Sequence, residues 1–460
     1  MGLNNDNNIK ADHIFINGRI YTENEDCPWA TTVACKNGKI LAAGDYGTLK
    51  SYEDDFTEMT DLKGKTMLPG FIDAHSSTVL SVFRDSYVAL DSAWDSDTIM
   101  GEIADRCYDT YDDETVFGYG FHERILENYP AEDDKCRLLD EMEVENPVLL
   151  LCADGHHLWY NSLCREKIKR LSGKEDIDSL PVETILKLLM IFDYEELESN
   201  FADEKERLTD KGFTTVCNCC SPLCFDTFYH DYFSDSEGDM SSLDQKFYHT
   251  ILLNRPFDDA ELNKIFSKNG KSENCNTLKI IASEETFTRE DLLRICLATA
   301  EKGFNIHADA LDKKTLFSIY SVFDELRKKG FNEINLIIAS DLKLSKEEKS
   351  NFDSADSFVL TYATDTLNNS VFSHCRNIHE AVDELTVKAA EIIGKGDVLG
   401  SIEAGKNADF TVFSEDVFKT DLATFSRLHS DMIVVDGEIR YDVDEENLDE
   451  MVNLLMNMQL

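Results

Sequence analysis

The sequence predicts an α/β protein: a (β/α)8 barrel of the TIM type over residues 67–398, with a small β-sandwich built from both chain ends, 1–66 and 399–460. Three observations carry this prediction. Short apolar runs alternate with helix-period segments through the middle of the chain. That texture belongs to a parallel sheet covered by helices, and about eight such units close a ring. Both ends carry β segments with no helix between them, and neither end has enough strands to bury a face alone. Lastly, residues 66–77 read TMLPGFIDAHSS, a turn at Pro69-Gly70 followed by a mostly apolar strand that delivers His75 to its polar end.

At the N-terminal end, residues 13–22 (HIFINGRIYT) alternate around Asn17-Gly18, the signal for a two-residue hairpin. A second hairpin is expected where 31–35 and 39–44 flank Asn37-Gly38, and 62–67 adds a strand. In the middle, the candidate strands are 116–120, 148–152, 214–217, 247–252, 278–282, 305–307, 334–338 and 358–362. Helical periodicity fits 97–108, 194–211, 289–302, 313–329 and 378–393. An open doubly wound sheet is the competing architecture, weakened because no Gly-rich dinucleotide loop is present. Beyond residue 398, segments 408–413 and 432–441 return to β texture, the latter turning at Asp436-Gly437. Residues 442–460 place Leu448, Met451, Val452 and Leu455 at helical spacing, which predicts an amphipathic helix that closes the chain or forms a homodimer contact.

Composition bounds the function. A chain of 460 residues with 42% hydrophobic content and 27 Phe can bury a large core. Asp and Glu number 90 against 45 Lys and Arg, a formal charge of −45. Such a surface repels phosphate backbones and anionic lipid, which argues against nucleic-acid and membrane partners and favours a small neutral or cationic molecule. With no apolar leader at the start and no apolar run near the roughly 18 residues of a membrane span, a soluble, cytoplasmic chain is expected. Thirteen cysteines without an exported-domain spacing read as reduced thiols. Cys217, Cys219, Cys220 and Cys224 read either as a metal site or as the end of a buried strand. The absence of a paired Cys-x-x-Cys elsewhere favours the strand end, with Cys217 still able to face a substrate.

Residues i and i+2 of a strand share a face, so a His-x-His at the end of the 71–76 run would aim two imidazoles at one ion; here the second position is Ser77. The next informative stretch is 154–162, DGHHLWYNS, directly after the apolar run 148–152. Taken alone, its His-His pair reads as a hydrogen-bonded structural feature. Gly118-Tyr119-Gly120-Phe121, then 212–216 (GFTTV), 303–308 (GFNIHA) and 399–409 (LGSIEAGKNAD) follow in order. Together these stretches resemble the amidohydrolase superfamily, and within it amidohydrolase family 3, the branch that includes N-substituted formamide deformylases. The matching patterns are P-G-F-I-D-x-H-x-H, D-G-H-x-x-W-x-N-S, G-x-x-x-x-H-A and L-G-S-I-x-x-G-K-x-A-D, spread over residues 13 to 441.

The resemblance implies a metal-dependent hydrolase of non-peptide C–N bonds in a small amide or cyclic amide. Carried over residue by residue, it makes His75 and His307 metal ligands, and Asp365 a ligand that also accepts a proton. Lys279 stands where the family carries a carboxylated lysine. His156 would polarise the substrate carbonyl and Trp159 would line the substrate site, which Cys217, by its own place at the barrel mouth, could also face. Each has a plainer reading: Lys279 an ordinary lysine in a polar barrel mouth, His307 a satisfied barrel histidine, Asp365 a helix N-cap. The chain also departs from the pattern. Ser77 and Ser340 stand at histidine positions, and 337–340 reads IIAS where the family reads R-x-E-H. Asp341 is adjacent but belongs to the opposite strand face. The remaining donors suffice for at most one divalent ion, with zinc the expectation. The competing reading is a metal-free, catalytically silent paralogue serving as a small-molecule binding or partner subunit.

Overall fold

A computed structural model describes residues 9–90, 93, 95–121, 125, 132–153, 157–177, 180–219, 225, 244–253, 255–268, 274–340, 342, 359–361 and 375–444. The chain divides into two compact units, one of Met1–Ser76, Lys205–Cys219 and Met240–Leu460, the other of Ser77–Glu204 and Cys220–Asp239. The expected C-terminal helix lies outside the described residues from position 445 onward. Among the described residues no helix is long and apolar enough to cross a membrane.

The first unit is built on a curled, half-barrel sheet of seven strands. In spatial order they are Val359–Thr361, Leu336–Ala339, Asn305–Ala310, Thr277–Ala282, Lys246–Leu253, Phe213–Asn218 and Phe71–Ser76. Every neighbouring pair is parallel. Their sequences read as near-continuous apolar runs because such a sheet is covered on both faces. The helix Arg289–Glu301 starts at a reciprocal cap between Thr288 and Asp291 and buries Leu292, Ile295, Cys296 and Ala300. The helix Lys313–Lys328, capped by Asp312, buries Leu316, Ile319, Val322, Phe323 and Leu326. The single helix expected over 378–393 is two, Ile378–Leu385 and Val387–Ile392. They part at Thr386, whose backbone leaves the helical region (φ −125°, ψ −86°) and whose buried hydroxyl donates to the Val382 carbonyl at 2.6 Å.

The same unit holds two further sheets. One has six strands in the order Glu438–Asp442, Met432–Val435, Phe410–Phe413, Thr66–Pro69, Arg19–Tyr21 and Trp29–Ala30, so a C-terminal strand bonds directly to an N-terminal one. The other has four, Lys39–Gly44, Thr32–Lys36, His13–Ile16 and Glu58–Asp61. One apolar cluster takes Phe15, Val33 and Ile40 from the four-stranded sheet and Ile20, Met67, Phe410, Val412 and Val434 from the six-stranded one. The turns at Asn37-Gly38 and Asp436-Gly437 close hairpins, with Lys36 opposite Lys39 and Val435 opposite Glu438. Asn17 also turns with a positive φ of 56°, but the strands on either side of it do not pair with each other. His13–Ile16 is instead held on both sides by Thr32–Lys36 and Glu58–Asp61, while Arg19–Tyr21 joins Thr66–Pro69.

The second unit has its own sheet. Val88–Ala89, Val116–Phe121 and Val148–Cys152 are parallel, and Leu158–Tyr160 adds an antiparallel edge. Its core joins Ile99 and Ile103 of the helix Ser96–Tyr108 to Phe121, Val148, Leu150 and Trp159. The strand segments 116–120 and 148–152, expected as members of one eight-stranded ring, therefore belong to a separate sheet. The described strand pairings do not close a barrel. Among the described residues an antiparallel edge strand ends this parallel series, and an apolar cluster of its own lies against these strands.

Candidate functional site

The strand Phe71–Ser76 is seated by its first residues. A Cβ on Gly70 would lie 2.1 Å from the Thr214 hydroxyl oxygen, so only glycine lets this strand pack so closely against Phe213–Asn218. The pairing slips between Val216 and Asn218, opposite Asp73 and Ser76, and His75 falls within that slip. The buried Asp73 carboxylate accepts the His75 backbone N–H at 3.2 Å within that slip.

Two other strands complete the site. Lys279 and His307 are direct cross-strand partners, and Ile281 is opposite Asp309. His307 and Asp309 are two residues apart in one strand, so both side chains project from one face. The result is a closed cluster. Lys279 Nζ lies 3.1 Å from His75 Nε2, 3.0 Å from His307 Nε2 and 2.6 Å from Asp309 Oδ1. The two Nε2 atoms are 3.0 Å apart, with the rings perpendicular, and His307 Nε2 is 3.4 Å from Asp309 Oδ1. All four residues are buried, and Lys279 is 0% exposed.

The electrostatics are self-consistent. Burial, then the Lys279 charge, push the His75 imidazole well below its ordinary pKa and that of His307 down to about 4. Both rings are therefore neutral near pH 7, with lone pairs to offer. Burial alone would raise Asp309, but the Lys279 ammonium and the His307 imidazole outweigh it and hold the carboxyl well below the carboxylate range. The cluster thus combines a lysine, a carboxylate and two neutral imidazoles.

His75, His307 and Asp309 offer ligand atoms that all lie within 4.8 Å of one another. Two nitrogens and one carboxylate oxygen fit a single divalent ion with one position left open. Of the sequence-predicted residues, His75, His307 and Lys279 meet here. Asp309, which was not singled out, completes the set. The signal available for it was the H-x-D alternation of His307-Ala308-Asp309, which puts an oxygen donor on the imidazole's face. Asp365 and His156, expected as catalytic groups, lie outside the described residues, as do Asp341, Cys220 and Cys224. Ser340 is committed to backbone, donating to the Ala310 carbonyl at 3.2 Å and accepting from Leu342 N–H at 3.3 Å. Ser77 immediately precedes the helix Thr78–Val82.

The two residues expected at the substrate part ways. Trp159 is fully buried and packs edge-on against Phe121 in the core of the second unit, so it serves as a core side chain there. Cys217 borders a small cavity of about 10 Å³ next to His307, together with Ala74, Tyr248 and Thr250, a space on the scale of one water molecule. Cys219 Sγ donates a weak hydrogen bond to the Ala74 carbonyl at 3.7 Å.

A curled parallel sheet with imidazoles and a carboxylate gathered on its strands defines the class, and comparison with known proteins gives the family. The profile of the amidohydrolase family matches residues 58–197 and 272–441. The chain belongs to the amidohydrolase family. It is 30% identical over 168 residues to the protein LONG AFTER FAR-RED 3 of Arabidopsis thaliana, a match covering 36% of this chain and 28% of that one. It is 26% identical over 155 residues to N-substituted formamide deformylase of Arthrobacter pascens, covering 33% of this chain and 28% of the enzyme. The matched stretches thus span under a third of these curated relatives' lengths. Among solved structures, an uncharacterized metal-dependent hydrolase from Pyrococcus furiosus aligns over 88% of this chain and 99% of its own, with a TM-score of 0.54 and 16% identity, a likeness of fold.

Proposed function

We propose that this chain is a metal-dependent hydrolase that cleaves a non-peptide C–N bond in a small amide or cyclic amide, on the pattern of the formamide deformylase branch. The observation that carries the reading is the convergence of His75, His307 and Asp309 from two strands of the parallel sheet onto one point. A divalent ion there, zinc by donor type, would supply Lewis acidity toward a carbonyl oxygen and toward water. The chain's own residues prepare the ground. Burial keeps both imidazoles neutral, Asp309 supplies the anionic oxygen, and Asp73 holds the His75 backbone N–H. A surface of net charge −45 favours neutral or cationic substrates.

A second reading, a catalytically silent paralogue that binds a small molecule or a partner, is favoured by the Lys279 side chain among the three donors and by Ser340 turned onto backbone. Elemental analysis of purified protein and assay on a panel of small formamides and cyclic amides, with and without added zinc, separate the two. Turnover that needs zinc and vanishes in His307→Ala supports the hydrolase. A folded protein with no turnover on the panel, whose Tm rises with a panel compound, supports the silent paralogue.

A further inference from the structure

His75 Nε2 and His307 Nε2 are 3.0 Å apart and Asp309 Oδ1 lies 3.4 Å from the latter, so three groups able to hold a cation converge on one point. In this fold the side chain of Lys279 stands at that point. Lys279 Nζ donates to Asp309 Oδ1 at 2.6 Å and lies 3.1 Å from His75 Nε2 and 3.0 Å from His307 Nε2. The side chain is 0% exposed, so these three atoms, all from described residues, stand around Nζ where solvent would otherwise be.

The residues that carry these atoms are the candidate metal ligands. An ion at zinc's coordination distances of roughly 2.0–2.2 Å from atoms that lie within 4.8 Å of one another must sit between them. That position is closer to Nζ than two cations can approach. Lysine and ion are therefore alternative occupants of one space.

We propose that Lys279 is a built-in occupant of the metal centre: a divalent ion gains His75, His307 and Asp309 only by displacing it, so this lysine sets a low metal affinity and its removal opens the site. The inference rests on the hydrolase reading's donor set but concerns what stands against the ion. It assigns Lys279 the role of a competitor for the site, the opposite of a ligand. The burial of the side chain among strands of the parallel sheet makes displacement costly, because the ammonium has to find new acceptors.

The test is zinc binding by equilibrium titration against a competing chelator, on the full-length chain freed of metal, with thermal unfolding as a second readout. Lys279→Met keeps the side chain's length and removes its donors. The expected result is one equivalent of zinc bound at least tenfold more tightly than by the wild type, with a zinc-dependent rise in Tm that the wild type lacks. Adding His307→Ala to Lys279→Met should abolish the gain, which places the new ion at this centre. If Lys279→Met does not fold without metal, Lys279→Gln, whose amide still donates to Asp309, replaces it with the same expectation. Equal or weaker zinc binding by the variants than by the wild type overturns the proposal. Should the wild type bind one zinc tightly and the variants weakly, Lys279 is a ligand: the proposal falls and the hydrolase reading gains. Should neither bind zinc, the proposal and the metal-dependent reading fall together.

Discussion

Lys279 and Asp309 form a buried ion pair at 2.6 Å, and the physics of such pairs is asymmetric. Breaking one leaves an uncompensated charge in a low-dielectric interior, whereas replacing both partners with apolar groups is often close to neutral. Asp309→Ala, measured by urea unfolding in the presence of a chelator, is therefore expected to cost about 3–5 kcal/mol. Combining it with Lys279→Met should recover most of that loss, because the stranded ammonium is gone. Losses that simply add would show that the two residues act independently. His75, His307 and Lys279 were legible in the sequence because each ends or punctuates an apolar run. Asp309 carries no such mark, because it sits inside the strand Asn305–Ala310 and meets Lys279 only through the pairing of that strand with Thr277–Ala282.

At the scale of elements, the junction between the strand Arg19–Tyr21 and the paired helices near Thr386 stores an unfavourable charge. Glu23 follows that strand with a positive φ of 55°, and its Oε1 has no hydrogen-bond partner among the described residues. Burial first, then the Asp383 charge, raise its pKa to about 7, with Lys388 opposing. The folded-state value lies above the unfolded one of 4.5, so between the two the folded chain binds the extra proton. Glu23 thus favours folding most at pH below about 4.5, and that contribution is lost as pH rises through 7. Glu23→Gln should be more stable than the wild type at pH 8 by about 1–2 kcal/mol, discounted for the side chain's partial exposure, with the gap shrinking toward pH 5. Unfolding curves of both proteins at the two pH values check this, and a gap independent of pH would contradict it.

For the whole molecule, the two chain ends depend on each other through the pairing of Phe410–Phe413 with Thr66–Pro69 and through one apolar cluster. Ending the chain after Gly405 removes Phe410, Val412, Met432 and Val434 from that cluster and leaves Thr66–Pro69 with an open edge. The expected outcome is loss of amide-exchange protection in His13–Ile16 and Thr32–Lys36. Protection kept at full-length levels would show that the N-terminal strands stand alone. The net charge of −45 leads to a second expectation at this scale, no retention on a heparin column at physiological salt, where screening extends about 8 Å. Retention there would reveal a basic face that the sum of charges conceals.

The sequence by itself determined most of the elements. Val148–Cys152 runs over the predicted residues, and the helices Ser96–Tyr108, Arg289–Glu301 and Lys313–Lys328 end within a residue of the periodic pattern, because periodicity, caps and turn residues act locally. The family was legible too, carried by stretches such as PGFIDAH and LGSIEAGKNAD. Only the tertiary structure decided which strands share a sheet. Val116–Phe121 and Val148–Cys152 look like any other parallel strand, yet they pair in a sheet of their own, and the strands flanking Asn17-Gly18 part company. Strand pairing is a non-local choice that apolar alternation does not encode. The same reason hid the centre's defining feature. That Lys279 Nζ sits among His75, His307 and Asp309 depends on the register of three strands brought together across more than two hundred residues of chain, from His75 to Asp309.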